Sequence, residues 1–388
     1  MSGIPEADDG QRGEGEAMVA VVLAGGGTAG HVSPMIATAQ ALRASVPGVA
    51  ITFVGTPKGL EGDLVPAADL RLIPAVPWPR HVGLDVGRVP FRLYGAIRAA
   101  RTILREAGAD VVVGFGGYAA LPVCLAAWRA RLPVVIHEQN ALPGVANKIA
   151  ARFARAVLTS FPDTPLPHAR FVGLPVREAL ASLATSDEAR SAARDEFGLR
   201  TDRPVLLISG GSQGARRLNH ATTGAREALL AAGVQILHVW GPRNYPADAA
   251  VLENADSGAR YVPLRYVDAM DKAYAAADLM VARAGAGTVV ETALVGLPAL
   301  FVPFPYGNGE QGRNAAALVR IGADELVADA ALDAAELVRR VVPLITDPAE
   351  LARRGALARQ VMQPGAAQRV AAVILDVAHG AETTDASR

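Results

Sequence analysis

Apolar and polar positions fall in blocks along this chain. Short runs rich in valine, isoleucine and leucine close on glycine, and a stretch with apolar residues at helical spacing follows each of them. The first run, Val19, Val21, Val22 and Leu23, stops at Gly25, Gly26 and Gly27, and 34–43 then carries a helical pattern. A second strand is predicted at 51–55. Leu93, Ile97, Ala100 and Leu104 share one face of a helix, with Arg98, Arg101 and Arg105 along its flank. The run at 111–113 leads into GFGGY (114–118), and the run at 133–136 into HEQN (137–140). The second half repeats the plan. PVLLIS breaks at GGSQGA (210–215) and enters a helix at 215–230; QILHVW and 261–263 are strands, and 270–277 is a helix. The block LMVARAGAGTVVETALVGLPALFVPF then holds strand, glycine loop, helix and strand. Three helical stretches follow from Asp333, the last at 366–378.

Unbroken apolar strands alternating with helices require parallel sheets covered on both faces. The predicted fold is therefore α/β, with two Rossmann-like parallel-sheet domains. The linker falls in FVGLPVR (171–177), which divides the chain into a tail at 1–17, a first domain at 18–174, a second at 175–379 and a polar tail at 380–388.

Composition narrows the picture. With 388 residues, half of them apolar and few aromatic, the chain suits two cores of helices on parallel strands. Zero formal net charge argues against a dedicated nucleic-acid binder. A single cysteine, Cys124, excludes an intrachain disulfide framework and a cysteine-cluster zinc site, and fits a reducing cytoplasm. The first seventeen residues are acidic and glycine-rich, which reads as a disordered tail and not as a secretory signal. Met18, directly before the first strand, is an alternative start to Met1. The longest apolar stretch, 119–136, is interrupted by Arg129 and Arg131, so no spanning helix is predicted and the protein is expected to be soluble or peripheral.

Chemistry concentrates where the strands end. In open α/β sheets ligands collect at the carboxyl ends of strands, so AGGGTAGH, GFGGY and HEQN are expected to line one crevice. The Gly25-x-Gly27-x-x-Gly30 pattern lets backbone approach a ligand while the following helix aims amides at it, which suits phosphate. The same pattern fits a dinucleotide fingerprint. That reading wants an acid closing the second strand, where ITFVGT offers Gly55 and Thr56; Glu61 lies beyond the strand end in a Gly- and Pro-rich loop, and His31 stays unexplained. GGSQGA, with Ser212, is a second anion-ready turn, and no Lys-Ser/Thr pair makes it a Walker loop. Glu291 sits one turn inside its helix, suited either to the helix dipole or to a sugar's vicinal hydroxyls. His137 reads either as a site residue or as a satisfied structural histidine. PYGNGEQGRNA, with Glu310, Gln311 and Asn314, is too polar to be core.

Taken in order, GGTAGH, GFGGY, HEQN, the arginine of LPVR, GGSQGA, RAGAGTVVE, PALFVPFP and GEQ-xx-NA resemble the MurG family of N-acetylglucosaminyltransferases, of the GT-B architecture, over residues 18 to about 377. The resemblance implies two domains facing each other across a cleft and inverting transfer of GlcNAc from UDP-GlcNAc to the 4-hydroxyl of MurNAc in polyprenyl-diphosphate-linked muramyl-pentapeptide, a step of cell-wall synthesis. It assigns Thr28, Ala29 and Gly30 to the first phosphate loop, Asn140 to the loop beneath the sugar, and Arg177 and Ser212 to the diphosphate. Val267 matches the uracil side, Ala286, Gly287, Thr288, Val289, Val290 and Glu291 the nucleotide loop with Glu291 on ribose, and Gln311 a hexosamine hydroxyl. His31, Tyr118 and His137 match acceptor-side positions. Three positions depart from the family: Ala29 replaces a glycine, Ala284 a serine and Glu310 a glutamine.

The implied displacement needs a base and a positive field. His31 is the candidate base, because an ordinary imidazole titrates near pH ~6.5; its alternative is to order the loop. The chain has no Asp-x-Asp pair to hold a divalent ion, so Arg177 and loop amides are expected to carry the leaving diphosphate with no obligatory metal or other cofactor. Residues 78–105 interleave Trp78, Val82, Leu84, Phe91 and Leu93 with Arg80, Arg88, Arg92, Arg98, Arg101 and Arg105, against Asp85. This segment is expected to hold the protein peripherally on an anionic membrane surface at the cytoplasmic face. Other cell-wall enzymes are admissible partners. The alternatives are a UDP-GlcNAc 2-epimerase or glycolipid synthase of the same architecture, and a non-enzymatic nucleotide-sugar sensor.

Overall fold

The computed structural model describes residues 19–57, 59, 61–76, 89–181, 183 and 186–380. The expected tail at 1–17, residues 381–388 of the polar tail expected at 380–388, and the loop portion of the basic-apolar segment, including Trp78, Arg80, Val82, Leu84, Asp85 and Arg88, lie outside them. In the first half the elements run β1 (Ala20–Ala24), α1 (Ala29–Ser45), β2 (Ala50–Gly55), α2 (Glu61–Leu64), β3 (Leu70–Leu72), α3 (Val89–Glu106), β4 (Val111–Gly114), α4 (Gly117–Arg129), β5 (Val134–Glu138), α5 (Val145–Ala150), β6 (Ala156–Thr159) and β7 (Ala169–Phe171). The second half continues with α6 (Glu178–Ala181), α7 (Asp187–Glu196), β8 (Val205–Ser209), α8 (Arg216–Ala231), β9 (Gln235–Val239), β10 (Leu252–Glu253), β11 (Arg260–Leu264), α9 (Met270–Ala276), β12 (Leu279–Ala282), α10 (Ala286–Val295), β13 (Ala299–Phe301), α11 (Glu310–Arg320) and β14 (Glu325–Leu326). Three helices close the chain: α12 (Ala334–Ile345), α13 (Pro348–Val361) and α14 (Ala366–Ala378).

Two seven-stranded sheets result. The first has order β3-β2-β1-β4-β5-β6-β7, parallel throughout, and the second β10-β11-β9-β8-β12-β13-β14, parallel except for the β10–β11 pair. Central strands such as β1, β4, β8 and β12 are buried along their whole length because helices cover both faces, which is why they read as continuous apolar runs. In both sheets the strand order reverses beside the strand that enters a glycine turn, β1 and β8, which is where an open α/β sheet leaves its crevice.

The structure corrects three sequence readings. Helix α1 begins at Ala29, five residues before the predicted start, because Thr28 is extended at its N-cap and Gly30, read as part of the turn, is already helical. The HEQN motif is not a loop throughout: His137 and Glu138 are the last residues of β5, paired with Leu158 and Thr159. Helix α14, grouped with the second domain from its place in the sequence, packs on the first. Its Val370, Ala371, Ile374 and Val377 share a buried core with Val32, Met35, Leu42 and Val113. The chain thus crosses between domains twice, and Arg369 staples both crossings by donating to Val172 O at 2.9 and 3.0 Å and to Pro364 O at 2.7 Å.

Candidate active site

A cleft of about 880 Å³ opens between the carboxyl ends of the two sheets, and residues from both halves line it. On the first wall stand three turns. The β1–α1 turn brings Gly26, Gly27, Thr28, Gly30 and His31; the β4–α4 turn brings Gly116, Gly117 and Tyr118; the segment after β5 brings Gln139 and Asn140. These turns interlock. Gly117 has φ +76°, and a side chain there would drive into the Gly26 carbonyl, so only glycine lets the two turns touch. The space beside Gly116 is taken by the His31 ring.

His31 lies in the first turn of α1, half-buried, with Nδ1 3.0 Å from Thr28 Oγ1. Burial lowers its pKa, opposed by the negative charge of Glu61. The imidazole is therefore neutral at neutral pH, and if Nδ1 carries the hydrogen and donates to Thr28, Nε2 keeps a lone pair able to accept a proton. Glu138, which sequence reading passes over, organises the neighbouring turn. Its buried carboxylate accepts from Asn140 N (2.9 Å), Gly144 N (3.0 Å) and Asn147 Nδ2 (2.9 Å), while burial raises its pKa. Gln139 Oε1 and Asn147 Oδ1, on buried residues of the same wall, have no hydrogen-bond partner among the described residues.

The second wall is built from the β8–α8 turn, the loop after β11 and the start of α10. Gly211 and Ser212, Tyr266 and Val267, and Gly285, Ala286, Gly287 and Thr288 line it, with Arg177 from the linker. Glu291 projects from the second turn of α10 and accepts from the buried Tyr274 hydroxyl at 2.8 Å. Burial raises the Glu291 pKa, and both Tyr274 and the Arg177 charge lower it, so a positive group faces the acid across the site. Sequence reading does not single out Tyr274, because a lone tyrosine in a short amphipathic helix gives no signal there. The departure at Ala284 has no consequence at the wall: this residue is fully buried in the core and only its carbonyl is engaged, by Asn314 Nδ2 at 3.2 Å.

Asn314 spans the two walls. Buried in α11, it accepts from Ala141 N at 2.9 Å and donates to Asn140 Oδ1 at 3.3 Å, both in the first domain, while holding Ala284 O in the second. Its sequence signal is only that its segment is too polar for core.

Of the residues singled out from the sequence, Thr28, Gly30, His31, Tyr118, Asn140, Arg177, Ser212, Val267, Ala286, Gly287, Thr288 and Glu291 meet in this cleft. Others are placed elsewhere. His137 is fully buried, its Nε2 2.9 Å from Gly173 O, and burial lowers its pKa to about 4: the structural reading holds, and it fastens β5 to the linker. Val289 and Val290 turn into the core behind α10, since helical spacing cannot present six consecutive residues to one face. Ala29 is the first residue of α1 and adopts a helical conformation, so loss of the family glycine demands no positive φ. Gln311 is absent from the cleft lining; its Oε1 accepts from Phe304 N at 2.8 Å and ties down the 303–309 loop, whereas Glu310 lines the cleft. Glu61, read as a loop residue, begins α2 and is buried against the β1–α1 turn. Among the described residues no group of three or more His, Cys, Asp and Glu side chains could hold a metal ion.

Two parallel-sheet domains with amide-bearing turns facing across a cleft define the GT-B architecture. The chain belongs to glycosyltransferase family 28: residues 21–159 match the family's N-terminal domain and 205–370 its C-terminal domain. It is 54% identical over 374 residues, 95% of this chain and all of the relative, to the UDP-N-acetylglucosamine–N-acetylmuramyl-(pentapeptide) pyrophosphoryl-undecaprenol N-acetylglucosamine transferase of Cutibacterium acnes. The crystal structure of Acinetobacter baumannii MurG is similar, with a TM-score of 0.73 and 31% identity over 92% of this chain and 99% of that one. A kitacinnamycin glycosyltransferase shares the fold at 18% identity and a TM-score of 0.66, covering 92% and 98%.

Proposed function

We propose that this protein transfers N-acetylglucosamine from UDP-GlcNAc to the muramyl-pentapeptide carried on undecaprenyl diphosphate. The observation that carries this reading is the pairing, in one cleft, of a nucleotide-type wall (Ser212, Val267, Ala286, Gly287, Thr288 and Glu291) with an opposite wall holding a neutral histidine, in a chain 54% identical to a transferase of that name.

The donor sits on the second domain. Glu291, already oriented by Tyr274, accepts from ribose hydroxyls, and Arg177 with the first amides of α8 and α10 meets the diphosphate charge. Gly27 N is already engaged by a carboxylate, so on the first domain the amides at the start of α1 are the ones left to face a phosphate. The acceptor's 4-hydroxyl attacks the anomeric carbon as the bond to UDP breaks. His31 Nε2 takes the hydroxyl proton, and the sugar inverts. Arg177 and preorganised amides offset the negative charge of the leaving diphosphate, so chelator treatment is expected to leave turnover unchanged. Incubating the protein with labelled UDP-GlcNAc and a lipid-linked muramyl acceptor should give the disaccharide product. Epimerised UDP-sugar, or nucleotide binding with no product, would favour the epimerase or sensor alternatives instead.

A membrane-facing surface completes the reading, because a polyprenyl chain stays in its bilayer. No described helix is long and apolar enough to cross a membrane. On α3, Ala96, Ala100 and Leu104 are core and Leu93 and Ile97 half-buried, whereas Phe91 and Tyr94 are 80% and 64% exposed beside exposed Arg92, Arg98 and Arg101. Exposed aromatics among arginines favour reversible attachment to an anionic surface, at the cytoplasmic face where the nucleotide sugar is available. Reversing Arg80, Arg88 and Arg92 to glutamate should abolish salt-sensitive flotation with anionic vesicles and spare activity on a short-chain soluble acceptor; undiminished flotation would dismiss this surface.

A further inference from the structure

Glu61 is fully buried behind the β1–α1 turn and is not part of the cleft wall. Its carboxylate is spent on backbone: Oε1 accepts from Thr56 N at 2.9 Å and Oε2 from Gly27 N at 3.2 Å. The acid therefore joins the end of β2 to the glycine turn after β1. It also accounts for three glycines. A side chain at Gly26, Gly55 or Gly59 would occupy the space that the Glu61 side chain fills; at Gly55 the added carbon would lie 2.7 Å from its Cγ and Oε1. The middle glycine of the AGGGTAGH pattern thus makes room for an acid of the protein itself, where a dinucleotide-binding turn would need to admit a pyrophosphate. A charged acceptor shared by two amides, that of Thr56 buried and that of Gly27 partly so, makes stronger bonds than a neutral one.

Resting on the reading of His31 as the base, we propose that Glu61 is a positioning residue for the transfer: by clamping Gly27 to Thr56 it fixes the turn that presents Thr28 and His31 to the acceptor hydroxyl. His31 hangs from Thr28, the residue directly after the clamped glycine, so any looseness in the turn moves both. Glutamine cannot replace the acid. Its single carbonyl oxygen can accept from one amide, and its NH₂ then faces the other N–H, donor against donor. Aspartate, one methylene shorter, cannot span both.

The test uses the full-length protein with Glu61→Gln and Glu61→Asp, UDP-GlcNAc and a short-chain muramyl acceptor. Turnover is expected to fall ~10–100-fold, the scale of a misplaced reacting group, while KM for UDP-GlcNAc and affinity for UDP stay at parent values, since the donor wall is on the other domain. Amide hydrogen exchange at Gly27 and Thr56 should quicken in both variants. A charge effect gives a further signature. The groups around the imidazole and its neighbour Gly116 are Glu61 from α2, Thr28 at the helix N-cap, the Gly116 backbone and Asn147 from α5, with Glu138 bonded to Asn147. Losing the Glu61 charge in the Gln variant should move the acid limb of kcat/KM to lower pH, which a purely steric role would leave in place. Parent-like turnover and parent-like exchange would overturn the proposal, as would a loss of UDP affinity equal to the loss of turnover. Failure of the parent to transfer any sugar would instead strike the function, and the exchange data would still report on the clamp.

Discussion

The two strand–turn–helix units facing each other across the cleft have the same outline and opposite supports. The turn after β1 rests on a buried carboxylate, Glu61, and hands its helix a histidine. The turn after β8 rests on neutral groups. Gly214, at φ +72°, abuts the Trp240 carbonyl, Asn244 Nδ2 donates to Gln213 O at 3.1 Å, and behind them His238 bridges Tyr261 and Asn219 at 3.1 Å each while stacking on Trp240. Desolvation lowers the His238 pKa to about 3, so this support stays uncharged at working pH. An anion cradle whose described supports are neutral is the better seat for a diphosphate, and a turn backed by a carboxylate is the better seat for a base. On the proposed reading, the duplicated shape therefore serves two different functions.

The comparison can be broken or sharpened in four ways, from the largest expected effect to the smallest. Removing the proposed base in His31→Ala should lower turnover ~10²–10⁴-fold at saturating substrates, with UDP affinity at the parent value by calorimetry; unchanged turnover would reduce His31 to a loop-ordering residue. Gly214→Ala should cost at least ~1–3 kcal/mol, because alanine resists that φ and its methyl meets the Trp240 carbonyl, and should weaken UDP binding along with the melting temperature. Asn314→Ala strips the tie between the walls and leaves Ala141 N and Ala284 O without it, a cost of ~1–3 kcal/mol, read by thermal melting and by a raised KM for the donor.

The fourth concerns pH. His137 and His238 remain neutral in the folded protein down to about 4 and about 3, whereas in the unfolded chain both protonate near the ordinary value of 6.5. The unfolded state then binds more protons, so stability is full above pH ~6.5 and is lost on acidification, by ~1.4 kcal/mol per pH unit for each histidine, down to the folded values. Asp324 runs the other way. Its carboxyl is pushed up to about 7 by burial, so its contribution falls as pH rises from 3.8 to that value. Denaturant titrations of His238→Gln should show a shallower acid slope than the parent; an equal slope would remove the neutral-support argument.

Much of this was legible in the sequence because it lives in local pattern. Apolar runs closing on glycine marked both sheets, and the polar strand ends marked most of the cleft, since parallel strands deliver all their carboxyl ends to one edge. What stayed hidden depends on contacts between distant residues. Glu61 looks like a loop acid until Gly26 and Thr56 are seen beside it, and Tyr274 matters only because α9 sets it against Glu291. His137 shows the reverse: a suggestive residue at a suggestive place, whose neighbour Gly173 lies 36 positions away and makes it structural. The last helix could not be assigned to the first domain by order alone, because its apolar face fits either core until the return crossing is seen.

The measurement that bears most directly on the division of labour is amide hydrogen exchange of the full-length protein with UDP alone and then with UDP and the muramyl acceptor together. UDP alone should slow exchange at Gly211, Ser212 and residues 286–288 and leave residues 27–31 as they were, with protection reaching the first turn only when the acceptor is added. Protection of residues 27–31 by UDP alone, with the β8–α8 turn unaffected, would contradict the assignment of the donor to the second half.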